Sequence, residues 1–308
     1  MAQQDIILVV QKGDHSLGYY HFDSGEEVAR VALDPYPHEF VLSPDGHHAY
    51  MCHFGVALAE DAGPGGNTIS VVDVAAHERV GTVDCGDFRR PHGIDRDRQG
   101  TLYALSEGTS HLMVIGDPLS GSIERAQPTG GEGSHILTVT PDGRLGFCSN
   151  MFSGTVTAVF LQDPERPPIV LPVGDRPEGS VLDEAGERLY VTVRESGQVA
   201  VIDVTNLRTL ESIPTPPGPV RICWGPADTL LVPLYHEKAL ALVERNRGVR
   251  RVVPLPDKPI SVGYHAPSGT ALASIFGDRI CLVDTLEGRL VRTISTRKDP
   301  DPLVVVRL

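Results

Sequence analysis

The sequence predicts an all-β chain folded as a seven-bladed β-propeller, with residues 1–308 forming a single domain closed by N- and C-terminal strands that share one blade. Three observations carry that expectation. First, 32 glycines and 25 prolines are scattered as punctuation, and short Val- and Ile-rich alternating segments run between them, as in chains of many short strands joined by tight turns. Second, a frame of eight residues between a polar side chain and a turn glycine returns four times, from His38 to Gly46, His92 to Gly100, His135 to Gly143 and Glu178 to Gly186. The last three polar residues are spaced 43 apart. Third, apolar segments ending in an acid recur at Ser70-Val71-Val72-Asp73, Met113-Val114-Ile115-Gly116-Asp117, Val199-Ala200-Val201-Ile202-Asp203, Ala241-Leu242-Val243-Glu244 and Cys281-Leu282-Val283-Asp284. A period of 40–45 residues carrying about four strand signals is that of a propeller blade.

Taken in order, the chain opens at a second-strand position with Ile6-Ile7-Leu8-Val9-Val10, and two further strands follow, ending at Asp23 and Leu33. Inner strands start near residues 38, 92, 135, 178, 220, 260 and 302, which gives seven blades. The last, starting at Pro302, has no strand after it, so the two ends complete one blade and remove an exposed sheet edge. Ser43-Pro44-Asp45-Gly46 and Thr140-Pro141-Asp142-Gly143 read as turns, while Asp73, Asp203 and Asp284 read as turn caps. Thr155-Val156-Thr157-Ala158-Val159-Phe160 fills the fourth blade-repeat slot without an acid. The longest insertion, residues 56–66, lengthens a second-to-third-strand loop over one channel mouth and reads as a lid.

Ser43-Pro44-Asp45-Gly46 followed by His48-Ala49-Tyr50, Arg188-Leu189-Tyr190-Val191-Thr192, and Val199-Ala200-Val201-Ile202-Asp203 resemble the YVTN-type, lactonase-like seven-bladed propellers. The resemblance spans essentially the full length and implies architecture more than activity, since that group includes lactonases, lyases and redox-enzyme subunits. The single tryptophan, Trp224, disfavours a WD40 propeller, and no Cys-x-x-Cys-His occurs to attach haem.

Composition narrows the function. Apolar residues make up 41% of the chain, with no run long enough for a membrane span. The first ten residues lack a basic n-region and a cleavage site, which predicts a cytoplasmic protein. Five dispersed cysteines (Cys52, Cys85, Cys148, Cys223 and Cys281) form no disulfide framework or thiolate zinc site. A net charge of −13 without a basic block repels a phosphate backbone, so no nucleic-acid partner is expected. Oligomeric state is not encoded in any of these features.

The residue at the start of each inner strand sits near one channel mouth, so His38, His92, His135 and Glu178 are expected to converge from four consecutive blades. Three imidazoles and a carboxylate form a ligand set for one divalent metal: zinc, manganese, iron or nickel. Second-strand ends are expected to surround them, supplying His53, Glu107 or His236 as general base and Asn150, Arg194 and Tyr235 as substrate contacts, joined by Arg221, one residue beyond the matching inner-strand position of the next blade. Glu39, next to His38, is expected to point away from the channel. His47 and His48 fall at the opposite mouth, and His15, His21, His77, His111 and His265 have no partner at repeat spacing. The reading is a metal-dependent lyase or hydrolase, lactone opening included, acting on a small polar or carboxylated metabolite. The alternatives are a non-catalytic ligand- or protein-binding propeller and a metal-free lactonase-like enzyme. Iron oxygenase chemistry is a further option, because a ring of histidines also marks the carotenoid-cleaving propellers, which this chain otherwise does not resemble.

Overall fold

The computed structural model of the chain describes residues 3–308, which form seven four-stranded antiparallel sheets. Blades 1 to 6 follow one another along the chain, with inner strands Pro37–Leu42, Pro91–Arg96, Ser134–Val139, Pro177–Leu182, Cys223–Trp224 and Pro259–His265. Blade 7 is the seam: the C-terminal strand Pro300–Arg307 is innermost and pairs antiparallel with Asp5–Gln11. The ring therefore closes as the sequence implies, except that this inner strand begins at Pro300 instead of 302. The inner strand of blade 5 shrinks to two residues plus a bridge between Pro219 and Leu234.

Alternation along the strands places apolar side chains between blades. Tyr50, Cys52, Ile69 and Val71 of blade 1 pack on Ile94, Leu102 and Ala104 of blade 2, and the pattern repeats around the ring. All five cysteines are free and four are buried in these layers. Asp73, Asp203 and Asp284 each accept two backbone N–H bonds in the turn that follows, the capping role expected of them. In the Ser43–Gly46 turn, Gly46 has φ +74°, which a side chain would strain.

A bulge recurs at the start of the inner strand. Register slips between Pro37 and Phe40, Pro91 and Ile94, Ser134 and Ile136, Pro177 and Ser180, and Pro259 and Ser261. A bulge breaks the two-residue alternation and re-aims side chains. Consecutive residues at these points, such as His38 and Glu39, can therefore both reach the axis.

Candidate metal centre

Each blade contributes two repeat positions to the mouth. The first is the second residue of the inner strand in six blades, His38, His92, His135, Glu178, Ile260 and Asp301, and in blade 5 Val220, which follows the bridging Pro219. The second is the residue just after the second strand: Phe54, Glu107, Met151, Arg194, Tyr235, Phe276 and Lys12. The backbone N–H of every member of this second set donates to the carbonyl of the residue two before the ring position in its own blade, as from Phe54 to Tyr36, Arg194 to Arg176 and Lys12 to Asp299. That repeated bond ties the two sets together. With the exception of Glu107, all fourteen line a cavity of about 300 Å³, covered by Ala57, Leu58, Ala59 and Glu60 of the blade 1 loop.

The three histidines stand side by side. Ring centroids are 4.6 Å apart for His38 and His92 and 3.9 Å apart for His92 and His135. His92 Nδ1 donates to the His135 carbonyl at 3.0 Å, which leaves the lone pair on Nε2, a buried atom with no partner. His135 Nδ1 donates to Glu107 Oε2 at 2.8 Å, and its Nε2 faces Glu178 Oε2 at 3.9 Å, beyond hydrogen-bond range. Neither ring nitrogen of His38 has a hydrogen-bond partner, although Asp301 Oδ2 lies 3.6 Å from Nδ1. Imidazoles held through Nδ1 by a carbonyl or carboxylate, with Nε2 left free, have the arrangement metal-binding histidines use. Orphaned buried acceptors cost free energy unless something occupies them. The donor set therefore fits a divalent cation of the kind zinc, manganese, iron or nickel provides.

Electrostatics keep these rings ready to ligate. Burial lowers the pKa of His38 and His92 well below the ordinary imidazole value, and neighbouring cations and histidines add to it. Burial brings His135 to about 4 against the opposing charge of Glu178. Burial raises Glu107, with His92 and Arg90 opposing. For Asp301, burial pushes upward, but Lys12 at 2.9 Å and Arg221 outweigh it and hold the carboxyl below its usual range.

The structure separates the sequence-selected residues into two groups. Brought together at the cavity are His38, His92, His135, Glu178, Arg194, Arg221 and Tyr235, with Arg194 lying 4.3 Å over the Tyr235 ring. Glu178 is not a free carboxylate, since it accepts from Arg194 at 3.0 Å and faces Arg221 at 3.5 Å. The side-chain groups close enough to share one ion are His38, Glu39 and His92, and His92, Glu107 and His135. Glu178 belongs to neither. The expectation that Glu39 points outward is corrected: the bulge turns it inward, where it pairs with Arg221 at 2.5 Å and burial raises its pKa.

Three further placements are corrected. His53 is buried behind the inner strand, its Nδ1 3.1 Å from the Asp34 carbonyl and its Nε2 2.7 Å from Ser70 Oγ. Asn150 is likewise spent on Ser134, Thr155 and Thr157. Both are the last residue of a second strand and pair with Pro37 and Ser134, so an inner strand stands between them and the axis. The residue one step later is the one that reaches the cavity. His236 sits on the rim, 3.5 Å from Glu195 and two-fifths exposed, and does not line the cavity. Glu107 does not line the cavity, but it accepts from His135 and lies close enough to His92 and His135 to share an ion with them. Sequence reasoning missed Lys12 and Asp301, whose signal is the Pro300-Asp301 pair matching Pro37-His38, Pro91-His92 and Pro177-Glu178. A larger depression of about 630 Å³ lies between turns of blades 3 and 4 on the opposite face; its arginines, Arg98, Arg144 and Arg166, alternate with acids and no histidine lines it.

No protein-family model matches the sequence, and no curated protein matches it. Solved structures do resemble it in fold. The periplasmic gluconolactonase PpgL of Pseudomonas aeruginosa superposes with a TM-score of 0.78 at 15% identity, over 98% of this chain and 99% of that one. The dihydro-heme d1 dehydrogenase NirN, in complex with DHE, gives 0.66 at 14% identity, over 97% of this chain and 74% of that one. Hydrazine synthase of Kuenenia stuttgartiensis gives 0.69 at 16%, over 94% and 91%. The likeness is one of architecture, and it agrees with the propeller fold inferred from the repeat.

Proposed function

We propose that this chain is a metal-dependent propeller hydrolase of the lactonase type, acting on a small polar or carboxylated metabolite in the 300 Å³ cavity. The observation that carries the reading is the set of neighbouring imidazoles whose Nε2 atoms have no hydrogen-bond partner. His92 would hold the ion together with His135 and Glu107 on one side or His38 and Glu39 on the other, while Glu178, paired with Arg194 and Arg221, would stand beside them without ligating. A bound divalent ion supplies Lewis-acid polarisation of a carbonyl and a lowered pKa for water. Asp301, ionised beside Lys12 and with Oδ1 unpartnered, accepts a proton from an attacking water. Glu107 orients His135, Arg194 and Tyr235 shape one wall, and the loop over the mouth limits entry of bulk water. The fold shared with a gluconolactonase is in keeping with ring-ester opening, while the site chemistry also serves a lyase.

Metal analysis of protein purified without a histidine tag tests this reading. Wild type should carry about one ion per chain, lost in His92→Ala and His135→Ala while the far-UV spectrum is kept. Full occupancy in those variants, or none in wild type, would sink the reading. The His135–Glu107 bond also suits a metal-free base oriented by a carboxylate. That second reading requires hydrolysis to survive chelation.

A further inference from the structure

Four cations line the cavity: Lys12, Arg176, Arg194 and Arg221. Three are already neutralised by carboxylates on or beside the ring. Lys12 pairs with Asp301 at 2.9 Å, Arg194 with Glu178 at 3.0 Å, and Arg221 with Glu39 at 2.5 Å. Arg176 differs. Its partner is Glu60, 2.6 Å away, on the loop that crosses from blade 1. Glu60 is more than half exposed and sits on no strand, so this carboxylate alone can leave without disturbing a sheet. The Nε of Arg176 is buried and has no acceptor, a trait it shares with Arg194 and Arg221.

The loop is clamped at two points by residues of the same repeat position. Arg90, just before Pro91, donates to the carbonyls of Ala59, Asp61 and Gly63 at 2.7, 2.5 and 2.9 Å. Arg176, just before Pro177, holds Glu60. Both arginines have left-handed backbones, φ 54° and 62°, at a position that Gly133 and Gly218 fill elsewhere in the ring. Side chains there are strained, so the two arginines stand at a cost to local stability. Arg90 grips loop backbone, a fixed attachment. Arg176 grips a carboxylate, a group a ligand can imitate.

We propose that Arg176 is the residue that receives the carboxylate of the substrate, and that Glu60 fills its place when substrate is absent. Anion binding and release of the loop are then a single exchange, and the substrate class narrows to small carboxylates able to present a second oxygen function to the histidines. Arg194 and Arg221 hold Glu178 and Glu39 in place instead. The inference rests on the proposed function in taking this cavity as the substrate site.

Malonate is the probe, titrated calorimetrically into wild type, Glu60→Gln, Arg176→Gln and the double variant, with zinc, manganese, iron and nickel contents measured on the same samples. Removing the internal competitor should tighten malonate binding about two- to fivefold, the worth of a partly exposed ion pair. Arg176→Gln should weaken it at least about tenfold, as expected for loss of a charge-assisted pair, and the double variant should match Arg176→Gln. Equal or weaker binding in Glu60→Gln, or wild-type affinity in Arg176→Gln, overturns the exchange. Zinc retained with no such exchange removes this inference alone. The exchange observed in protein that binds none of zinc, manganese, iron or nickel upholds it and removes the metal reading.

Discussion

Replacing Gly93 by alanine tests whether the spacing of blades 2 and 3 sets the geometry of the histidines. A Cβ at Gly93 would lie 2.6 Å from the His135 carbonyl oxygen, 2.7 Å from the Leu137 nitrogen and 2.9 Å from the Ile136 Cα. All three are backbone atoms, so the neighbouring inner strand has to move. Overpacking of this kind costs about 1–3 kcal/mol. For a chain of this length that lowers Tm by about 2–5 °C. The atom displaced first accepts the His92 Nδ1 bond, so zinc affinity should fall about tenfold, the lower end of what loss of a ligand-orienting contact costs. Gly46→Ala is the control: nothing lies within 4 Å of its Cβ and only the φ of +74° is strained, so it should lose about 1 kcal/mol with unchanged zinc binding. Differential scanning calorimetry and zinc titration read both effects. If Gly93→Ala unfolds within 1 °C of wild type and binds zinc equally well, blade spacing does not position the rings.

Three further outcomes follow from the site. Glu107→Ala should weaken metal binding about 10- to 100-fold and Glu107→Gln less, because the amide oxygen still accepts from His135 Nδ1; equal zinc affinity in all three proteins would remove Glu107 from the centre. Metal binding needs neutral imidazoles, and His135 titrates at about 4 with His38 and His92 also lowered by burial, so protons compete only on the acid side. Zinc affinity should therefore stay flat from about pH 7.5 to 6, whereas a decline starting near 6.5 would mean the rings titrate as free imidazoles do. Lys12→Met leaves the buried Asp301 without its closest cation and should cost about 3 kcal/mol in urea unfolding, with Lys12→Met/Asp301→Asn recovering much of it. A double variant as unstable as the single one would show that Lys12 acts by packing instead.

Blade number, seam and ring position were legible in the sequence because each is a repeat property. Turn glycines, acid-terminated strands and the eight-residue frame all count along the chain with one period. What escaped depends on departures from that period. The bulge after Pro37 adds a residue to the count, and so turned Glu39 inward against the alternation rule. A one-residue phase difference at the second-strand ends separates His53 and Asn150, held behind the inner strand, from Arg194 and Tyr235, which reach the cavity. Asp301 and Lys12 escaped for a related reason: they come from opposite ends of the chain, and their pairing exists only after ring closure. Glu60 was placed on the lid as a segment, but its partner lies 116 residues away and no local pattern announces it.

The seam has a consequence for biosynthesis. Asp5–Gln11 leaves the ribosome long before its sheet neighbour Pro300–Arg307, because six blades lie between them in the chain. Until then six blades can assemble, but Asp5–Gln11 presents a bare edge, and Lys12 and His38 lack the carboxylate that only Pro300–Arg307 delivers. A chain that has not yet reached Pro300–Arg307 therefore stays an open crescent, and its proposed centre lacks Asp301.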